Sequence, residues 1–256
     1  DFPGANLGLY SVTYLNDLEQ DKCTLEAFHA FREEAERKRF RYFLEVFDPN
    51  VDSGIPPEKL GEFINDQILR TLAGIAEAGR PDFLKIVYHG PRLMEEICQY
   101  DPNLVVGVLG GSAGTTYDAF RLLHDAKKHG ARVALFGRKI NNAEHQLAFI
   151  EFLRLIAEDT IGPEEAVHGY HGVLQGKGIT PNRPLEQDLE LTEQSMRYGD
   201  TGGKPSVAIR NNPLAKRKPE SPQPDAVWPT KPGGAPDFAS MSADQRLAYH
   251  TARLKQ

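Results

Sequence analysis

The sequence predicts an α/β chain built on a parallel sheet, and three observations point there. Short apolar runs alternate with amphipathic stretches of helical length over residues 1–175, the pattern of repeated strand–helix units. Val105-Val106-Gly107-Val108-Leu109 is apolar throughout, as a parallel strand covered on both faces must be. Glycine-rich turns follow the later strands, at Gly110-Gly111-Ser112-Ala113-Gly114 and at Gly137. Periodicity leaves two architectures open, a doubly wound sheet and a barrel.

The elements follow in order. Leu9–Leu15 predicts the first strand and Leu25–Lys38 the first helix. That helix ends in Arg37-Lys38-Arg39, a basic run that suits the negative end of a helix dipole. Arg41–Phe47 is the second strand, Pro57–Ala78 the second helix, and Phe83–Tyr88 the third strand. Pro91–Gln99 predicts a helix, Leu104–Leu109 a strand, and Thr115–His129 a helix. Thr115 or Ser112 can cap that helix, and Gly130 stands where a left-handed stop is expected. Arg132–Phe136 and Ala143–Glu158 complete the alternation. Beyond it, ten of the 18 prolines fall between Pro181 and Pro236, where aliphatic periodicity fades. The chain therefore divides into an α/β part, 1–175, and a proline-rich, mostly irregular tail, 176–256, with a short helix near 242–254.

Composition narrows the function classes. The net charge of −6 argues against nucleic acid held by bulk positive charge. No apolar run approaches the ~20 residues of a membrane helix. Two cysteines, Cys23 and Cys98, make neither a disulfide framework nor a metal spacing, so a reducing cytoplasm is the expected location.

Three polar residues interrupt the strand pattern. Lys85 lies in Phe83-Leu84-Lys85-Ile86-Val87; burial disfavours a charged amine, and a neutral one can attack a carbonyl to form a Schiff base. Glu45 lies in Phe43-Leu44-Glu45-Val46-Phe47, and a buried carboxylate is costly unless paired. Period-2 alternation puts Glu45 and Lys85 at the middle of one face of their strands. An acid/base pair and a structural ion pair both satisfy that placement. Tyr14 is a third candidate, as a proton donor or as ordinary packing. The glycines of the turn at 110–114 and the Gly137-Arg138 pair suit an anion, through backbone amides and a guanidinium, or are simply tight turns. His89 follows the Lys85 strand and is either a substrate contact or a solvated residue, and His168 and His171 read as loop residues with no third metal ligand in view.

Taken together, these motifs resemble a known family. Pro81-Asp82-Phe83-Leu84-Lys85 resembles the Schiff-base lysine strand of archaeal-type class I fructose-bisphosphate aldolases and tagatose-bisphosphate aldolases. Phe43-Leu44-Glu45 resembles the strand that carries a catalytic glutamate in the tagatose enzymes, and Tyr14 falls near the family's proton-donating tyrosine. The two glycine turns resemble the family's phosphate-binding turns. The resemblance spans about Leu9 to Glu158 and departs at Ala113, where the family often carries a lysine.

It implies a (β/α)8 TIM-type barrel lacking roughly its first three strand–helix units, and a Schiff-base aldolase acting on a phosphorylated keto sugar. Lys85, Glu45 and Tyr14 would be catalytic, and Gly110, Gly111, Ser112, Gly137 and Arg138 would hold the phosphate. No metal or organic cofactor would be needed. The expected partners are the sugar phosphate and further copies of the chain, with neither nucleic acid nor membrane. The alternatives are a related acyl or aldol transferase, and a barrel remnant that binds a sugar phosphate or a protein without turnover.

Overall fold

The computed structural model describes residues 4–111, 114–192, 229–232, 236–242, 245, 246 and 249. By internal packing the chain forms two compact units, Asp1–Arg210 and Asn211–Gln256.

The first unit is a parallel sheet with its helices. Strand β1 (Leu7–Thr13) leads to helix α1 (Leu18–Lys38), β2 (Arg41–Phe47) to α2 (Pro57–Leu72), and β3 (Leu84–Ile86) to α3 (Pro91–Tyr100). Strand β4 (Val106–Gly110) leads to α4 (Thr116–Lys128) and β5 (Val133–Phe136) to the four-residue α5 (Arg138–Asn141). Helices α6 (Gln146–Ala157), α7 (Pro163–Gly176) and the short α8 (Leu185–Asp188) follow. The strands are all parallel and hydrogen-bonded in the order β1-β2-β3-β4-β5.

That order decides between the two architectures the periodicity left open. A doubly wound sheet reverses its strand order and carries helices on both faces. Here the order is sequential, and the covered apolar side chains of the strands lie on one face. Val12, Tyr42, Leu44, Val46, Leu84, Ile86, Val106 and Val108 belong to a core completed by Phe28 of α1, Ile64 and Ile68 of α2, and Met94 and Ile97 of α3. Sequential strands with one helical layer are the arrangement of a barrel wall. The other face is more open, and at its edge Leu9 is 49% exposed.

A second core lies among α4, α6 and α7, where Phe120, Phe149, Ile156, Val167 and Tyr170 are buried together. Phe149 meets Tyr170 edge-on, with centroids 5.5 Å apart, a favoured aromatic geometry.

Several boundaries differ from the sequence reading, each for a local reason. Helix α1 starts at Leu18, a full two turns before Leu25, because Asp17 accepts a bond from the Gln20 amide and caps it. Helix α2 stops at Leu72 rather than running to Ala78, since Gly74 takes a left-handed φ of 76° just beyond it. Thr115, not Ser112, caps α4, in a capping box with Asp118. Gly130 does take the left-handed stop, with φ 105°.

Helix α7 lies outside the sequence reading altogether. Gly169, Gly172 and two histidines obscured its periodicity, so His168 and His171 are helical residues and not loop residues. The start of the irregular tail at 176 also needs correction. Ile179, Leu185 and Leu189 pack against the second core, and Leu191 against the first. Four isolated apolar residues with no shared period give no sequence signal, yet each reaches a core. In the second unit, Thr230 and Pro236 form an antiparallel bridge. Of the expected helix near 242–254, Gln245, Arg246 and Tyr249 are helical, Ser242 is not, and the other residues lie outside the described ones.

Candidate active site

The open face of the sheet carries the polar residues of interest. Parallel pairing sets Ser11 opposite Glu45, Glu45 opposite Lys85, and Lys85 opposite Gly107. Residues opposite one another in parallel strands point to the same face, so the four positions form a single row across the sheet. In that row Lys85 Nζ lies 2.5 Å from Glu45 Oε1, and Ser11 donates to Glu45 Oε2 at 3.1 Å. Both carboxylate oxygens are thereby engaged.

The pair is asymmetric in its access to water. The Glu45 side chain is 5% exposed and that of Lys85 21%. The carboxylate is enclosed while the amine can be reached. On the far flank of Lys85 stands Gly107, which presents no side chain; a Cβ there would lie 2.8 Å from the Leu84 carbonyl oxygen. Below the pair, Phe43 and Phe83 stack at 4.6 Å with planes 13° apart and form an apolar floor. The site thus offers a reachable amine and a buried proton acceptor.

Of the three expected catalytic residues, the structure brings two together. Tyr14 is placed elsewhere: it is fully buried, and its hydroxyl lies 2.5 Å from Thr71 Oγ1 of α2. Tyr14 lies just past the end of β1 and packs in the same core as Val12. It belongs to the helical side of the sheet, and burial raises its phenol pKa above the ordinary value, against the opposing bond from Thr71. Ser11 was missed, although its place between Leu9 and Thr13 in the alternation was legible.

The expected phosphate residues divide as well. Gly110 pairs with Phe136, which sets Gly111 and Gly137 side by side at the ends of β4 and β5. Gly111, Gly137 and Arg138 are exposed. Gly110 has a packing reason of its own, because a Cβ there would run into the Phe136 ring. Ser112 lies outside the described residues. Gly111 is four residues past Gly107, about 13 Å further along the strand direction. A ligand with its anion at the turn would therefore need part of the four-carbon lysine stem to bring Nζ up to it.

Two of the three remaining histidine candidates are paired, and the third, His168, is exposed. His89 Nε2 lies 2.9 Å from Asp48 Oδ1, joining the segments that follow β3 and β2. His171 Nε2 lies 2.9 Å from Asp188 Oδ2. No cluster of three or more histidine, cysteine, aspartate or glutamate side chains suited to a metal occurs among the described residues, and no helix among them is long and apolar enough to cross a membrane.

With this geometry in place, the chain can be set beside known proteins. No family model matches it, and no curated protein does. Among solved structures it is similar to an archaeal fructose 1,6-bisphosphate aldolase, at 18% identity and a TM-score of 0.49 over 60% of this chain. It is also similar to a fructose-bisphosphate aldolase from Slackia heliotrinireducens, at 16% identity and a TM-score of 0.47 over 66% of this chain. The chain spans 58% and 54% of the lengths of those two proteins.

Proposed function

We propose that the protein is a Schiff-base aldolase of a phosphorylated keto sugar, with Lys85 as the nucleophile. The observation that carries this reading is the Lys85–Glu45 contact, an enclosed carboxylate holding a reachable amine. A purely structural ion pair has no need of an accessible lysine.

The chemistry follows from the positions. Glu45 takes a proton from Lys85 Nζ, and the neutral amine adds to the substrate ketone to give a carbinolamine. Loss of water leaves an iminium ion. Removal of the proton from the hydroxyl beyond the scissile bond sends that electron pair into a carbonyl, releasing an aldehyde, while the bonding electrons move onto the iminium nitrogen as an enamine. Protonation at carbon and hydrolysis then free the second product and Lys85. Glu45 is the residue placed to carry these protons, and Ser11 orients it as a positioning residue. The iminium itself polarises the bond, so the reading invokes no metal or organic cofactor. Gly111 and Gly137, with Arg138, would receive the phosphate at the strand ends.

The test is reductive trapping. Borohydride added with dihydroxyacetone phosphate should leave a stable mass adduct on the peptide containing Lys85. Lys85→Arg, which keeps the charge, should lose both adduct and turnover while retaining a cooperative melt. Normal turnover by that variant would overturn the mechanism. Exposure of Leu7 and Leu9 on the same face favours a second reading, a sugar-phosphate or protein binder without turnover. Ligand binding with no reducible adduct would select it.

A further inference from the structure

Two polar residues stand beyond the ends of the strands that carry Glu45 and Lys85. Asp48 follows β2 directly, and His89 lies three residues past β3. His89 Nε2 faces Asp48 Oδ1 at 2.9 Å, with the carboxylate side chain 8% exposed and the imidazole 17%. Strand pairing sets their height. Lys85 stands opposite Gly107, and His89 and Gly111 each lie four residues further along the chain, so His89 is at the level of the glycine turn. The ring rests against α2, where a Cβ on Gly61 would lie 2.7 Å from His89 Cβ and 2.9 Å from its Cγ. Glycine at that position leaves the ring its room.

The buried carboxylate decides what the ring can do. An ionised Asp48 only accepts, so in the neutral imidazole Nε2 carries the proton and Nδ1 the lone pair. Nδ1 makes no hydrogen bond among the described residues. Glu45 differs on both counts. Its two oxygens are engaged by Lys85 and Ser11, and it lies deeper, at the middle of β2. One acceptor is enclosed beside the amine; the other stands with a free lone pair where the strands end.

We propose that His89, oriented by Asp48, is a second catalytic residue, which takes the proton from the substrate hydroxyl beyond the scissile bond. The inference rests on the Schiff-base reading and divides its proton transfers between two groups, Glu45 at the Lys85 nitrogen and His89 at that hydroxyl. The strand order supports the division. Gly111 and Gly137 follow β4 and β5, Lys85 is on β3, and Asp48 follows β2. A ketose phosphate with its phosphate at the turn and its ketone carbon at Nζ therefore extends across the strand ends toward His89 and Asp48. The hydroxyl on the second carbon past the ketone lies on that side. In the step itself Nδ1 takes the hydroxyl proton, and the O–H electron pair forms the aldehyde carbonyl. The carbon–carbon bond breaks, and its electrons pass to the iminium nitrogen to give the enamine. Asp48 stabilises the imidazolium that results. In the reverse direction the imidazolium returns its proton to the new alkoxide.

The experiment compares two reactions of dihydroxyacetone phosphate in the intact chain. One is exchange of its carbon-bound hydrogen with heavy water, which needs the enamine but no hydroxyl proton. The other is condensation with glyceraldehyde 3-phosphate, in which the new alkoxide must be protonated. His89→Gln keeps a donor for Asp48 but has no base, so condensation should fall about 100-fold, as for loss of one acid–base group. Exchange and the borohydride adduct at Lys85 should be unchanged. Asp48→Asn can donate to Nε2 and so move the ring proton to Nδ1; it should show the same split with the ring still present, and it decides the matter should His89→Gln fail to fold. Condensation at the full rate in a folded variant, or an equal fall in both reactions, would overturn the role of His89. An intact adduct in that variant would leave the Schiff-base reading standing. Neither adduct nor exchange in the unaltered chain would overturn both.

Discussion

The central strands and the rim of β4 and β5 place their polar residues by different means. In the centre, Ser11, Glu45, Lys85 and Gly107 meet because strand pairing brings opposite positions to one face. One slip of register would send Glu45 into the helical core. At the rim, the residues that meet are far apart in the chain and share no period. The Thr116 amide finds Asp188, and Asp118 accepts from the amide and hydroxyl of Thr192. Thr115 donates to the Glu190 carbonyl at 2.8 Å. Of the amides at the start of α4, that of Thr116 is thus satisfied by a residue 72 positions away, while those of Thr115 and Asp118 are satisfied within the capping box. Regular pairing builds a site that can be read along the chain; a returning segment builds one that cannot.

The sharpest way to break this contrast is through Glu45. Glu45→Gln keeps the shape and a hydrogen-bond acceptor but loses the proton shuttle, so steady-state turnover should fall by roughly 10²–10⁴. Some borohydride adduct at Lys85 should persist, because the amine remains. Loss of less than about threefold would show the pair to be structural.

The rim should answer to acid rather than to chemistry. Burial alone would raise the Asp188 carboxyl, but the Thr116 amide and His171 outweigh it and hold the pKa below the ordinary value. The native state then binds this proton less readily than the unfolded chain does. The stability from Asp188 is complete above the unfolded carboxylate pKa and is lost as pH falls through the depressed folded one. Asp188→Asn should flatten the acid side of the melting-temperature profile and cost about 1–3 kcal/mol at neutral pH. An unchanged acid limb would place the origin of that slope in other carboxylates.

The smallest effect is expected at Tyr14. Its hydroxyl meets Thr71 on the helical side, so Tyr14→Phe should lower stability by about 1 kcal/mol in a denaturant melt with turnover intact. A large fall in turnover at unchanged stability would return Tyr14 to the reacting groups.

What the sequence by itself determined are the features that repeat with a short period. Arg41–Phe47 was legible to the residue as a strand, and Phe83 to Val87 carried the face of Lys85, because alternation is a local property of the extended backbone. The faces of Glu45 and Lys85 followed from two such readings, one per strand, while their pairing needed the strand order and register as well. Only the tertiary structure decided the strand order, the single helical layer, the removal of Tyr14 from the reacting face, and Ser11 as the second partner of Glu45. It alone decided that Phe136 fills the space beside Gly110, so that one glycine of the turn serves packing. It also brought His89 to Asp48 beyond the ends of β3 and β2. These are meetings between segments with no common periodicity, and their free energy comes from burial and hydrogen bonds that exist once the chain has closed upon itself.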